Sequence, residues 1–174
     1  FPTSQDHKRA LDGDLGLNTG GMGTYSPTPF LTDAQLAVAA KKILNPFMRG
    51  CAEEQIDYRG ILYPGMMLTQ SGPKILEFNA RFGDPETQVL LPRIEGDLLP
   101  WLEACAHGDL SGLPGTVPFV REAAVVVVGA ARGYPELPEK GRPIHGIAAG
   151  GALAERPEWF CAGVAEQGSS LVTS

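Results

Sequence analysis

The chain has 174 residues, 43% hydrophobic and 20% charged, which is enough to build a core and excludes wholesale disorder. Fourteen Lys and Arg against twenty Asp and Glu leave a net charge of −6, which excludes a surface that grips nucleic acid or an anionic membrane through bulk charge. Glycine (22) and proline (15) are abundant enough to predict a globular fold rich in turns and loops. The longest apolar run, Ala123–Ala131, is too short to span a bilayer. No secretory pattern opens the chain. Cys51, Cys105 and Cys161 are odd in number and widely spaced; they match neither a metal motif nor a disulfide framework, and read as buried reduced thiols of a cytoplasmic protein.

Along the chain, Ser4–Arg9 is a polar stretch, followed by a glycine-rich loop, Asn18-Thr19-Gly20-Gly21-Met22-Gly23. Thr32 stands three residues before Gln35, the spacing of a capping box, and Asp33 favours the positive end of the helix dipole. Leu36, Ala40, Ile43, Phe47 and Cys51 recur at helical spacing, so the pattern predicts a helix from about Asp33 to Glu54, kinked or divided at Pro46. Gly60–Thr69 and Lys74–Asn79 read as an antiparallel hairpin turned by Gln70-Ser71-Gly72-Pro73. Asp84-Pro85 reads as the cap and first residue of a short helix running through Arg93. Asp97 caps another, whose Leu98, Leu99 and Leu102 are assigned to the core, ending near Gly108. Ala123–Ala131 reads as a buried strand; weaker strand signals lie near Ile144 and Phe160, and a last one at Ser170–Thr173. The change in character places a domain boundary near Gly115, giving domains 1–114 and 115–174.

The sharpest chemical signal is Glu77-Phe78-Asn79-Ala80-Arg81. On a strand, Glu77 and Asn79 share one face and Phe78 takes the other. A carboxylate beside an amide oxygen suits Mg²⁺, which takes a few protein oxygens and fills its remaining positions with water and phosphate. Arg81 adds a planar donor fork for phosphate or carboxylate. A solvated face on which Glu77 and Arg81 simply pair accounts for the spacing equally well. The loop Asn18–Gly23 lets backbone approach a ligand and leaves N–H groups for an anion; a flexible surface loop fits it as well. Asp6 and Lys8, two apart, face a ligand or merely solvent. Asp84 and Glu86 could hold an ammonium group or a sugar hydroxyl, although helix capping also explains Asp84. His7, His107 and His145 lack metal-ligand spacing.

Together, Gln5–Arg9, Asn18–Pro27 and Glu77–Gln88 resemble the phosphoribosylamine–glycine ligase family of ATP-grasp enzymes, with Gly133-Tyr134-Pro135 and Ile144-His145-Gly146 resembling its C-terminal domain. The resemblance implies an α+β fold: the C-terminal half of an ATP-grasp unit, an antiparallel sheet with helices, followed by part of a small β-rich domain. It implies ATP-dependent joining of glycine to 5-phosphoribosylamine through a glycyl phosphate, with ATP and Mg²⁺ or Mn²⁺ as cofactors. By the same resemblance Glu77 and Asn79 match metal ligands, and Arg81, Asp84 and Glu86 the loop beside the acyl-transfer centre. Asp6, Lys8, Asn18, Thr19, Gly20, Gly21, Met22 and Gly23 match segments lining the glycine and ribose-phosphate pockets. Gly60–Thr69 carries no carboxylate for a second metal position. The family's N-terminal domain and ATP-covering lid have no counterpart here, nor do its last strands. The chain is therefore expected to need the missing N-terminal portion as a partner and to be inactive alone. A purely structural piece of a cleaved enzyme, another ATP-grasp carboxylate–amine ligase and a non-enzymatic binding module are the alternatives.

Overall fold

Fourteen elements are found among the described residues, and the longest of them shows most directly how its sequence dictates it. In a computed structural model describing residues 1–147 and 159–174, helix α1 spans Asp33–Glu53. Its Thr32 side chain accepts from Gln35 N while the Gln35 side chain accepts from Thr32 N, the reciprocal bonds of a capping box. Pro46 lies within the helix without dividing it. Its ring sits on the exposed side, where a missing N–H leaves a carbonyl one turn back to water rather than to a dry interior. The buried face is Ala39, Ile43 and Cys51; Leu36, Ala40 and Phe47 lie at its half-buried margin.

The contacts divide the chain into two compact units, Phe1–Asp6 with Thr24–Val126, and His7–Gly23 with Val127–Ser174. The first contains α1 and a hairpin of β5 (Tyr63–Thr69) and β6 (Gly72–Asn79). The strand pairing reaches Thr69↔Gly72, so the turn is Gln70-Ser71 alone, and Gly72 and Pro73 belong to the strand rather than to the expected four-residue turn. A three-stranded sheet runs in the order β1 (Gln5–Asp6), β4 (Gly23–Ser26), β7 (Ala124–Val127). Strand β7 is shorter than the apolar run predicts and is not buried: Val125 and Val127 are 71% and 80% exposed.

The expected helix at Asp84-Pro85 begins later, as α2 (Thr87–Leu90), followed by a 3₁₀ turn at Leu91–Arg93. Thr87 N and Oγ1 both donate to Gly83 O, closing a turn around Asp84 and Pro85, so Asp84 is not the cap. Val89 and Leu90 are the most deeply buried apolar side chains of this unit. Helix α3 spans Leu99–His107. The expected cap, Asp97, stands one residue before the N-cap position, which Leu98 holds without a side-chain bond. Asp97 Oδ1 accepts from Leu99 N at 2.9 Å in a turn leading into the helix, and Gly108 closes the helix at φ 78°. Leu99 and Leu102 are exposed, not core. Arg93 is 5% exposed. Its guanidinium donates to Ser26 Oγ (2.8 Å), Glu122 O (2.7 Å) and Val120 O (3.1 Å), which compensates the desolvation that lowers its pKa.

The second unit holds β2 (Arg9–Leu11) paired antiparallel with β3 (Leu15–Asn18). It also holds a sheet in the order β8 (Pro143–Ile144), β10 (Ser170–Thr173), β9 (Val164–Gln167). Strand β10 is where the sequence predicts it; Phe160 lies outside any strand and is exposed. The short strands before Pro29 escape a periodicity test, because two to four residues are too few to show alternation. Cys51 is buried as expected, whereas Cys105 is half-buried and Cys161 exposed.

Candidate functional site

The hairpin positions the Glu-x-Asn pair. Register places Glu77 opposite Gly65 and Asn79 opposite Tyr63, so these four residues share one face. The ladder slips between Gly65 and Met66, where Gly65 pairs with Glu77 but Met66 with Ile75, leaving Leu76 as the extra residue of a bulge. The irregularity precedes Glu77, and the two-residue alternation from Glu77 to Asn79 is intact. Phe78 occupies the opposite face and meets the ring of Phe47 on α1 at 5.0 Å. Glu77 is exposed and Asn79 half-buried. Among the described residues neither side chain has a hydrogen-bond or ion-pair partner. Arg81 lies past the strand end and donates to Phe82 O at 2.9 Å, so the simple Glu77–Arg81 pair is not formed. A carboxylate and an amide oxygen on one accessible face, both unclaimed, fit a hard divalent cation that draws its other oxygens from phosphate and water. Among the described residues no group of three or more His, Cys, Asp or Glu is gathered as a metal site.

Tyr63 links this face to a second set of predicted residues. Its hydroxyl lies 2.8 Å from Ser4 Oγ. Burial pushes its pKa well above the ordinary value; the Ser4 hydrogen bond opposes the rise, and the nearby carboxylates of Glu86 and Asp6 add to it. Glu86, 7% exposed, and Asp6 are thus gathered around one phenol. Thr24 Oγ1 donates to Asp6 Oδ1 at 3.3 Å. A Cβ on Gly83 would fall within contact distance of Glu86 Oε2 and 3.0 Å from Tyr63 Cε1, so glycine is needed to let the chain pass. Asp84 Oδ1 accepts from Gln88 Nε2 at 2.9 Å. Tyr63, Ser4 and Gly83 are absent from the sequence-derived set; register opposite Asn79 is the signal that points to Tyr63.

Lys8 and the glycine-rich loop lie in the second unit, whereas Asp6 belongs to the first. The loop folds onto Lys8: Lys8 Nζ donates to Gly20 O (2.9 Å), and Thr19 N and Oγ1 both donate to Lys8 O (2.7 and 2.9 Å). Gly20 N donates to Tyr134 Oη at 3.2 Å, Gly21 N to Thr19 Oγ1 at 3.0 Å, and Met22 N to His7 O at 2.8 Å. The amides from Thr19 to Met22 are therefore spent within the protein rather than left for an anion, correcting the expectation drawn from composition. Gly21, buried with φ 142°, adopts a backbone that a side chain would strain. Asn18 pairs with Arg9 in the β2–β3 ladder.

Residues 1–87, half the chain, match the family described as phosphoribosylglycinamide synthetase, ATP-grasp (A) domain. The chain belongs to this family. A phosphoribosylamine–glycine ligase from Mesorhizobium japonicum is 48% identical over the whole chain, which covers 40% of that protein. The trifunctional purine biosynthetic protein adenosine-3 of Drosophila melanogaster is 47% identical over 151 residues, 84% of this chain and 11% of that protein. Among solved structures, a phosphoribosylamine–glycine ligase from Thermotoga maritima superimposes with a TM-score of 0.81 at 38% identity, covering 99% of this chain and 41% of that one. The α+β character of this phosphoribosylglycinamide synthetase family member, sheets with three helices among the described residues, agrees with that neighbour. The chain thus spans about 40% of the length of these two phosphoribosylamine–glycine ligases and a smaller share of the trifunctional protein. No helix among the described residues is long and apolar enough to cross a membrane.

Proposed function

We propose that this chain forms part of a cytoplasmic ligase that uses ATP to activate glycine as glycyl phosphate and joins it to 5-phosphoribosylamine, giving glycinamide ribonucleotide, ADP and phosphate. The observation that carries this reading is the pair of unclaimed oxygens, Glu77 and Asn79, on one face of the hairpin, in a chain whose relatives are named as that ligase. The pair would hold Mg²⁺ or Mn²⁺. That cation would supply charge neutralisation at the ATP phosphates, the contribution phosphoryl transfer most needs from its site.

In this reading the protein's own groups orient and shield. Arg81, whose hydrogen bond among the described residues goes to Phe82 O, keeps the rest of its fork for a phosphate or carboxylate. Asp84, held through Gln88, stands at the acyl-transfer centre. Glu86 and Asp6, gathered at Tyr63, provide negative charge for an amine, and Lys8 with Asn18–Gly23 lines the ribose-phosphate side. The finer fold, an ATP-grasp portion up to residue 114 and part of a C-terminal domain from Gly115, belongs to the same proposal. So does a requirement for the remaining portion of the ligase. The test is ADP release dependent on ATP, glycine and phosphoribosylamine, with this chain supplied as part of the whole ligase and Glu77→Ala compared with wild type. Loss of metal-dependent turnover is expected. Wild-type turnover with unchanged Mg²⁺ dependence would overturn the metal assignment.

A further inference from the structure

Gly65 stands in the middle of β5, where glycine is a poor choice on local grounds. It has no side chain to pack and weakens a strand through the chain entropy it loses on folding. Backbone geometry does not demand it, because Gly65 is not among the glycines at positive φ. Nor does crowding from the body of the protein. The three nearest atoms to a Cβ built there all belong to Glu77: Cγ at 3.0 Å, Oε1 at 3.5 Å and Cδ at 3.8 Å. The missing side chain is therefore the space in which the Glu77 side chain lies. Cross-strand register makes the two residues direct partners, and the ladder slips immediately beside them, with Leu76 bulged out. A bulge of this kind turns the strand and re-aims the side chain that follows it.

We infer that Gly65 is a positioning residue for the Glu77 carboxylate. The bare backbone of β5 lets Glu77 lie across the hairpin in one rotamer, with its carboxylate on the Asn79 side of the sheet. The inference rests on Glu77 and Asn79 as the cation-binding pair, and it adds a requirement on the opposite strand. A Cβ at residue 65 would stand 3.0 Å from Glu77 Cγ, closer than most real Cβ contacts, so Glu77 Cγ has to give by at least a few tenths of an ångström to admit it. A displaced Cγ shifts the carboxylate it carries relative to Asn79, its neighbour on the same face.

The test uses this chain, its amide signals followed by nuclear magnetic resonance, with Mn²⁺ alone as the probe. In the wild type, three-bond couplings across χ1 of Glu77 are expected to report a single staggered well, and Mn²⁺ is expected to broaden the amides of Gly65, Glu77 and Asn79 first. Glu77→Gln should abolish that broadening. Gly65→Ala should move Glu77 to another well and raise the Mn²⁺ concentration for half-broadening about tenfold, while cross-strand contacts show the hairpin register intact. An unchanged Glu77 rotamer or an unchanged Mn²⁺ midpoint in Gly65→Ala overturns the role of Gly65 and leaves the metal reading standing. Broadening that survives Glu77→Gln overturns the metal reading instead. Should Gly65→Ala fail to fold, the wild-type couplings still decide: averaging of Glu77 over several wells removes the basis of the inference.

Discussion

Two glycine-containing regions of this chain put the same residue type to opposite uses. At the hairpin, Gly65 makes room for a side chain, and the polar atoms beside it, on Glu77 and Asn79, are left without partners among the described residues. In the loop Asn18–Gly23, glycine lets the chain fold tightly onto Lys8, and the amides from Thr19 to Met22 are consumed by Lys8, Tyr134, Thr19 and His7. An exposed carboxylate with nothing to bind is a resource for chemistry. A loop whose amides from Thr19 to Met22 are engaged is a shaped surface, and what that stretch offers a ligand must come from its shape and its side chains.

The contrast can be broken most decisively at Glu77. Glu77→Ala should lower metal-dependent ADP release by the whole ligase roughly a hundredfold or more. It should also move the urea midpoint little, since exposed substitutions of this kind lie within about 0.5 kcal/mol. A large stability loss with activity retained would reverse the assignment of the hairpin. Next in size is Gly83→Ala. A methyl group there meets Glu86 and Tyr63, and overpacking of this kind costs about 1–3 kcal/mol, read by urea unfolding.

On the loop side, Thr19→Val removes the hydroxyl that both donates to Lys8 O and accepts from Gly21 N. A stability loss of about 1–2 kcal/mol is expected; an unchanged urea midpoint would show that the loop is not the self-satisfied element described above. The smallest effect concerns pH. The Tyr63 pKa is raised above its ordinary value of 10.0, chiefly by burial. The unfolded chain therefore releases this proton first. This group leaves stability unchanged below about pH 10 and lowers it as pH rises beyond that. Tyr63→Phe should flatten that alkaline decline while costing about 1 kcal/mol at neutral pH through the lost Ser4 contact.

Much of this architecture is legible in the residues. The Thr32–Gln35 capping box, the Gly108 end of α3, the pairing of β5 with β6 and the shared face of Glu77 and Asn79 all follow from local rules, and the structure contains each of them. What escapes is set by partners distant in sequence. Asp84 has every mark of a helix cap, yet Thr87 closes the turn onto Gly83 and leaves Asp84 to Gln88. The apolar stretch containing Val125 and Val127 predicts burial, which needs a covering layer that composition cannot announce. Tyr63 is invisible as a site residue until register sets it across from Asn79 and folding brings Ser4 and Glu86 to its hydroxyl.

Arg93 carries one more consequence, for how the first unit opens. Its guanidinium reaches Val120 O, Glu122 O and Ser26 Oγ; Val120 N returns a bond to Arg93 O, and Glu95 N one to Pro118 O. Residues 118–122 are thus stitched to 93–95 by bonds that share a single buried charge. Hydrogen exchange should find these amides opening as one cooperative block rather than fraying singly, because releasing any part of the stitch strands that cation in a dry interior.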